Sequence, residues 1–124
     1  MTNSSKKILV VDDQKDIRKL IKLALGPAYI LLEAADGTTA LELAREEIPD
    51  LVVLDIMMPG EMDGLGVLDS IRLDPRLKHI KVVLVSARGQ ARDYALGMRH
   101  GAEAYFIKPF SPIELVDCIS GLLK

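Results

Sequence analysis

Apolar residues along the chain occur in short continuous runs that alternate with segments in which apolar residues recur every three or four positions. Continuous Val, Ile and Leu runs indicate strands buried on both faces, whereas the wider spacing indicates amphipathic helices. The pattern predicts strands at Lys7–Val11, Tyr29–Glu33, Leu51–Leu54, Lys81–Val85 and Ala104–Ile107. Strict alternation with short connections predicts one α/β domain, a doubly wound parallel sheet with helices on both faces.

The helical segments predict which side chains face the core. For the first four helices these are Ile17, Leu20, Ile21, Ala24 and Leu25; Ala40, Leu41, Ala44 and Ile48; Leu65, Leu68 and Ile71; and Ala91, Tyr94, Ala95 and Met98. The fourth helix has a thin apolar face with Gly97 inside it, which favours a marginally stable, movable element.

The fifth helix is the most clearly specified. Ser111 as N-cap, Pro112 in the first turn and Glu114 three residues after the cap predict a capping box. Its inward stripe is predicted to be Leu115, Cys118, Ile119 and Leu122.

Composition narrows the class of protein. With 124 residues and 49% hydrophobic content, the chain has enough apolar surface for one core without disulfide or metal staples. The single cysteine, Cys118, fits a reducing compartment, and no signal-peptide core or bilayer-length apolar stretch is present, so we expect a cytoplasmic protein without membrane contact. A net charge of −2 with mixed signs argues against direct nucleic-acid binding.

Polar residues follow or end four of the predicted strands. Asp12 and Asp13 follow the first strand, Asp55 the third, Ser86 the fourth and Lys108 the fifth. Parallel strands deliver their carboxyl ends to one edge of the sheet, so these side chains are expected to share a cleft. A divalent cation and Lys108 would neutralise the three acids, and Mg²⁺ suits such a site. The set predicts phosphoryl transfer with one carboxylate as the nucleophile.

The chain resembles the receiver domain of two-component response regulators, and the resemblance covers nearly all of residues 1–124. The motifs that carry it are Asp12-Asp13, Asp55 with Met58-Pro59 beyond it, Asp63-Gly64, Ser86-Ala87 and Lys108-Pro109-Phe110. It implies a flavodoxin-like (βα)5 fold with strand order 2-1-3-4-5.

The resemblance also implies a phosphorelay function. Asp55 is expected to accept a phosphoryl group from a histidine kinase or a histidine phosphotransfer protein. Asp13, Asp55 and the backbone carbonyl of Met57 are expected to bind Mg²⁺, with Asp12 acting through water.

By the same resemblance, Ser86 and Lys108 contact the phosphoryl group, and Tyr105 is the aromatic residue whose rotamer responds. The responding surface is expected to be the fourth helix, the fifth strand and the fifth helix. We expect the signal to leave residues 1–124 through this surface, to an unidentified downstream protein.

One loop departs from the family pattern. Three residues, Gly60-Glu61-Met62, separate the loop proline from Asp63-Gly64 where the family usually has two. The longer loop and the charge of Glu61 are expected to affect loop geometry and phosphoryl lifetime. Met57 and Arg88 occupy the two variable positions that the resemblance links to dephosphorylation.

Other functions remain open at this point. The chain is a switch, a phosphate sink in a relay or, less in keeping with the residues, an aspartyl-nucleophile phosphatase of the haloacid dehalogenase type. That phosphatase needs a second Asp two residues after its nucleophile, where this chain has Met57. A phosphate-cradling flavodoxin site is excluded because Asp12-Asp13 would repel the phosphate. We therefore expect no multiple-turnover enzyme.

Some of these residues also have structural interpretations. Asp12 or Asp13 is a candidate cap of the first helix. Lys15, Arg18, Lys19 and Lys22 form either a solvated outer face or a docking strip for an acidic partner. His79 and His100 have no ligand spacing.

Overall fold

The structure, a computed structural model, describes residues 5–87 and 91–124, without the side chains of residues 91–93. Within these residues, five strands and five α-helices alternate. The strands are β1 (Lys6–Val11), β2 (Tyr29–Ala34), β3 (Leu51–Asp55), β4 (Lys81–Ser86) and β5 (Ala104–Ile107). The helices are α1 (Lys15–Leu25), α2 (Gly37–Glu47), α3 (Gly64–Leu73), α4 (Ala91–Arg99) and α5 (Pro112–Leu122), with a short 3-10 turn at Gly26–Ala28.

All five strands are parallel and lie in the order β2-β1-β3-β4-β5. This confirms the predicted sheet and its strand order. In the register, Val11 lies beside Leu54, Asp55 beside Val85, and Ser86 beside Ile107. The carboxyl ends of β1, β3, β4 and β5 therefore lie side by side at one end of the sheet.

Successive strand residues pack on opposite faces of the sheet, as a doubly wound fold requires. Leu9 and Val52 belong to the core cluster that includes residues of α2 and α3. Ile8 and Val53 belong to the second cluster, with residues of α1 and α5. Met98 of α4 packs on the first cluster. The central strands are buried over Ile8–Val11, Leu51–Asp55 and Val82–Ser86, which confirms their prediction from continuous apolar runs. The edge strands β2 and β5 are mostly half-buried.

The predicted helix faces need correction at three positions. Leu20 and Ile48 are each 41% exposed and do not lie in the core. Ile48 lies beyond the last turn of α2 as its C-cap, in a left-handed conformation with φ 45°, which turns it out of the apolar stripe. Val67, which was not predicted to face inward, is buried in α3 beside Leu68.

The predicted face of α4 is wrong at Tyr94 and Ala95, whereas the predicted inward position of Met98 is confirmed. Tyr94 is 51% exposed and Ala95 is exposed, whereas Gly97 is buried. A Cβ atom at Gly97 would lie 2.7 Å from Leu84 Cδ1 and 3.2 Å from Tyr105 Cδ2, so the glycine allows α4 to approach the sheet closely. The side chain of Ala91 lies outside the described residues.

The predicted helix ends agree better with the structure. Ser111 is the N-cap of α5, and its hydroxyl accepts a hydrogen bond from the Glu114 N–H at 3.2 Å. Cys118 is half-buried on that helix, and burial raises the pKa of its thiol. Among the residues that the structure describes, no helix has the length and apolar character needed to cross a bilayer.

Candidate functional site

Three carboxyl groups converge at the carboxyl edge of the sheet. Asp12 and Asp55 are 1% and 3% exposed, and Asp13 beside them is exposed. Each of the three offers a carboxylate oxygen, and these atoms all lie within 4.8 Å of one another. The sequence-based prediction that the three acids meet is therefore confirmed.

Asp12, in the connection from β1 to α1, is held in place by hydrogen bonds from its backbone and its side chain. The Asp12 N–H donates to the Ala34 carbonyl at 3.1 Å, and Asp12 Oδ1 accepts from the Gln14 N–H at 2.8 Å. The Arg18 guanidinium donates to the Asp12 carbonyl at 2.7 Å. The N-cap of α1 is Gln14, one residue after Asp13, so the prediction that Asp12 or Asp13 caps this helix is wrong.

Lys108 is the cation of the site. Its Nζ lies 2.8 Å from Asp12 Oδ2, 3.4 Å from Asp55 Oδ2 and 3.4 Å from Gln14 Oε1. The Lys108 N–H donates to the Ser86 carbonyl at 2.8 Å, which continues the β4–β5 pairing to the point where the side chain enters the cleft. The peptide bond between Lys108 and Pro109 is cis.

The titration properties follow from this crowding. Burial and, next, the charge of Asp12 raise the pKa of Asp55 to about 6, although Lys108 and the Met57 N–H oppose the shift. Burial disfavours the ammonium form of Lys108, but its hydrogen bond to Asp12 and the charges of both buried acids outweigh this and raise the pKa of Lys108. One lysine thus faces three acids, and the charges do not balance when all are ionised.

The donor set fits a hard divalent cation. All three groups offer oxygen, the ligand that Mg²⁺ prefers, and a divalent cation supplies the two missing positive charges. The cleft on this side is lined by Asp13, Met57 and Asp63, among others. Two observations support this fit: the close spacing of the carboxylate oxygens and the raised pKa of Asp55. A bound cation would relieve the repulsion between the carboxylates and would lower that pKa.

Ser86 and Tyr105 lie on neighbouring strands next to this cleft. Ser86 is the last residue of β4 and is fully buried. Tyr105 lies on β5 opposite Leu84, half-buried, with its ring centroid 5.8 Å from that of Tyr94 in α4. Tyr105 therefore packs under α4, close to Gly97.

The loop after β3 connects the acids to two helices. Met57 is 52% exposed, and its N–H donates to Asp55 Oδ1 at 3.2 Å. Further along, the Met62 carbonyl lies so close to Gly37 that a Cβ there would be 2.5 Å away. Glu61 lines a separate cleft with Asp36 and the start of α2. The extra loop residue is thus accommodated against α2.

Gly64 has a structural role that the sequence did not reveal. Its N–H donates to the Ile56 carbonyl at 2.8 Å, and a Cβ atom would lie 2.2 Å from the Asp55 carbonyl oxygen. Asp63 caps α3 through the Gly66 N–H at 2.9 Å. The Asp63-Gly64 pair therefore starts α3 directly against the backbone of Asp55. In the sequence, the Asp63-Gly64 motif was the one signal for this position.

The structure also places the predicted basic face of α1 and one of the two histidines. Arg18 and Lys22 both pair with Glu33, so only part of the predicted basic face of α1 is without a partner among residues 5–87 and 91–124. His100 Nδ1 lies 2.5 Å from Asp69 Oδ1 in the middle of α3, and these two residues do not line the acidic cleft. Arg88 lies outside the described residues.

Residues 8–120 match the model of the response regulator receiver domain. Among relatives, "Probable transcriptional regulator ycf27" of Cyanophora paradoxa is 42% identical over 100% of this chain and 51% of its own length. The DNA-binding response regulator MtrA of Mycobacterium tuberculosis is 37% identical over 100% of this chain and 53% of its own. The chain thus spans about half the length of these relatives.

Solved structures show the same architecture. The receiver domain of the Francisella response regulator 1452 has a TM-score of 0.86 and 32% identity, covering 95% of this chain and 96% of that one. The chemotaxis protein CheY4 of Vibrio cholerae has a TM-score of 0.87 and 28% identity, covering 96% and 99%.

Proposed function

The chain belongs to the response regulator receiver domain family, and we propose that it is a phospho-accepting signalling switch with Asp55 as the acceptor. The observation that carries the proposal is the position of Asp55. Its carboxyl group is 3% exposed, has a pKa raised to about 6, and lies 3.4 Å from the ammonium group of Lys108. A structural carboxylate would more often be fully paired, whereas this one is held beside a cation that it shares with Asp12.

In the proposed step, an oxygen of ionised Asp55 attacks the phosphorus of a phosphohistidine on a histidine kinase or histidine phosphotransfer protein. The P–N bond breaks, its electron pair stays on the imidazole, and the imidazole takes up a proton from solvent. The products are an acyl phosphate on Asp55 and a free histidine on the donor. Attack needs the ionised carboxylate, so the pKa of Asp55 matters for the rate.

Charge neutralisation is the main task of the surrounding residues. Three equatorial oxygens carry the charge of the transferring group, and we assign Lys108, whose Nζ lies 3.4 Å from Asp55 Oδ2, to neutralise one of them. The Ser86 hydroxyl is assigned to donate a hydrogen bond to another. The Met57 N–H, now bonded to Asp55 Oδ1, holds the attacking carboxylate in a fixed orientation.

We assign Mg²⁺ to Asp13, Asp55 and the backbone carbonyl of Met57, with Asp12 acting through water. When bound, the ion supplies two positive charges against the phosphoryl oxygens and the acid cluster. Asp12 has a further task in the ion's neighbourhood, because its salt bridge of 2.8 Å orients Lys108. The close spacing of the three carboxylates supports this assignment.

The proposed output is a change of the surface formed by α4, β5 and α5. Tyr105 packs between the sheet and α4, and Gly97 brings that helix within contact distance of the ring. A small displacement of Tyr105 would therefore change its packing against α4. Direct nucleic-acid binding is not part of this proposal, since the net charge of the chain is −2 and the named DNA-binding relative is about twice as long.

Labelling with a small phosphodonor tests the acceptor. With acetyl phosphate and Mg²⁺, we expect one phosphoryl group per chain by intact-mass spectrometry, and we expect Asp55→Ala to abolish it. Asp69→Ala, which removes a half-exposed aspartate of α3 away from the cleft, is the matched control and should label fully. Full labelling of Asp55→Ala would overturn the assignment.

A further inference from the structure

Arg18 belongs to the basic face of α1, but its side chain is mostly buried, at 14% exposure. Its guanidinium group contacts two other segments at once. Nη1 donates to the Asp12 carbonyl at 2.7 Å, and Nε donates to Glu33 Oε1 at 3.0 Å. Glu33 lies on β2, and Asp12 directly follows β1. Arg18 therefore connects the end of β1 to the neighbouring edge strand.

These contacts fix the peptide group that joins Asp12 to Asp13. The carbonyl of Asp12 and the N–H of Asp13 belong to one planar unit, so the hydrogen bond from Arg18 limits the rotation of that plane. On its other side, the Asp12 N–H donates to the Ala34 carbonyl of β2 at 3.1 Å. The backbone of Asp12 is thus held to β2 at both polar groups, directly at the N–H and through Arg18 and Glu33 at the carbonyl.

The direction of the Asp13 side chain depends on this peptide group. The Asp12 carboxylate has its own partners, the Gln14 N–H at 2.8 Å and the Lys108 ammonium group at 2.8 Å. The Asp13 carboxylate is exposed, and within the part of the chain that the structure describes it has no hydrogen-bond or ion-pair partner. Its position relative to the other two acids is therefore set by the backbone from which it projects.

We propose that Arg18 is a positioning residue for the divalent-cation site and acts through the peptide group between Asp12 and Asp13. This role rests on the proposed function, because it concerns the Mg²⁺ ion assigned there to Asp13 and Asp55. Mg²⁺ demands a nearly ideal arrangement of its ligands, so a ligand that is free to turn lowers the affinity. Groups that orient metal ligands from behind typically change the affinity by about tenfold or more.

Charge and geometry predict opposite effects of removing Arg18. A cation beside the acid cluster repels a second cation, so by charge alone the loss of Arg18 should tighten Mg²⁺ binding. Loss of its hydrogen bond to the Asp12 carbonyl should instead weaken binding. Lys22 separates these effects, because its Nζ bonds to Glu33 Oε2 at 2.5 Å. Of the two cations that the structure pairs with Glu33, Arg18 is the one that also bonds to the Asp12 carbonyl.

Titration of MgCl₂ into the isotope-labelled, unphosphorylated chain, followed by amide shifts above the Asp55 pKa of about 6, measures the dissociation constant. We expect Arg18→Ala to raise this constant about tenfold. Arg18→Lys keeps the charge but loses the planar fork that reaches both oxygens, so it should raise the constant by a smaller factor. Lys22→Ala removes a charge from the same ion pair, and as the matched control it should not weaken binding. Circular dichroism establishes that each variant is folded.

Labelling by acetyl phosphate gives a second measurement. At saturating Mg²⁺ the Arg18 variants should still take up one phosphoryl group per chain, but they should reach half of their maximal rate at a higher Mg²⁺ concentration than the wild-type protein. Unchanged affinity in both variants, tighter binding by Arg18→Ala, or an equal loss in Lys22→Ala would overturn the role of Arg18 and leave Asp55 as the acceptor. A wild-type chain that is labelled without binding Mg²⁺ would overturn the metal assignment as well.

Discussion

Asp55 combines nearly complete burial with a negative charge that the proposed chemistry needs, and the two oppose each other. Its pKa in the folded protein is about 6, above the ordinary value of 3.8. A carboxyl group whose pKa is raised on folding binds its proton more tightly in the folded state than in the unfolded state. Below about pH 4, where Asp55 is protonated in both states, its titration does not change the free energy of unfolding. As the pH rises from 4 to 6 this free energy falls, and above pH 6 it stays lower by about 3 kcal/mol.

The upward shift of the Asp55 pKa predicts the effect of Asp55→Asn on the stability of protein stripped of divalent cations. At pH 8 the neutral amide removes the cost of a buried charge beside Asp12 and Asp13, so the free energy of unfolding should rise by about 1–3 kcal/mol. Near pH 4 the same substitution should change it little. Urea unfolding with EDTA at both pH values measures the effect, with exposed Asp117→Asn as the control. An equal effect at both pH values would contradict the ionisation argument.

Gly64 is the residue through which the start of α3 controls the site. A Cβ atom there would meet backbone atoms, at 2.2 Å from the Asp55 carbonyl oxygen and 2.6 Å from Ile56 Cα, which cannot rotate away as a side chain would. Gly64→Ala should therefore lower the free energy of unfolding by about 1–3 kcal/mol or more, despite the better helix propensity of alanine.

A second helical glycine provides the matched control for that substitution. Nothing lies within 4 Å of a Cβ atom at Gly121 in α5, so Gly121→Ala should stabilise the protein by up to about 1 kcal/mol. Urea unfolding measures both variants. If Gly64→Ala unfolds no more easily than the wild-type protein, α3 can move away from β3 without loss, and the close contact has no structural importance.

At the scale of elements, sequence predicts best where one local pattern decides the outcome. A continuous run such as Leu51–Leu54 allows only a buried strand, and that strand extends just one residue further, to Asp55. Ile48 is different, because a left-handed C-cap overrides its place in the helical stripe. The sequence predicts Gly97 as a weak point of α4. In the structure this residue lies close to Leu84 of β4 and Tyr105 of β5, and helical spacing carries no information about contacts with these two strands.

In the candidate site, too, the sequence predicts some features and leaves others to the three-dimensional structure. The sheet rule brings together Asp12, Asp55 and Lys108 across 96 positions of sequence, and the structure confirms this. The rule does not give side-chain pairings. Arg18, for example, fits a basic helical face by spacing, but its guanidinium donates to Glu33 and to the Asp12 carbonyl, because α1 starts beside β2. Such contacts require three-dimensional positions.

Across the whole molecule, a connected path of residues runs from the cleft to the face of α4. Ser86 ends β4 two residues after Leu84, and Leu84 lies beside Tyr105 in the register. Leu84 and Tyr105 are also the side chains nearest to Gly97. If Ser86 moves toward a phosphoryl group on Asp55, this packed path gives a physical route to α4.

The phosphoryl mimic beryllofluoride tests this route. With Mg²⁺ bound, we expect amide shifts at Asp55 and Lys108 and also in α4 and β5, because movement of Ser86 would alter the packing of Tyr105. In Ser86→Ala the acceptor and the proposed metal ligands remain, so partial binding of the mimic should survive. The shifts in α4 and β5 should shrink, since the hydrogen bond that draws Ser86 inward is lost. Ser120→Ala, at an exposed position of α5, is the control.

Two results of this experiment would count against the route, with different consequences. Full-sized shifts in α4 for saturated Ser86→Ala would mean that coupling runs through another group, of which Lys108 is the nearest candidate because its N–H bonds to the Ser86 carbonyl at 2.8 Å. Wild-type shifts confined to the cleft would be more serious. The chain would then take up phosphoryl groups without altering α4 or β5, which is the behaviour of a phosphate sink in a relay and not of a conformational switch.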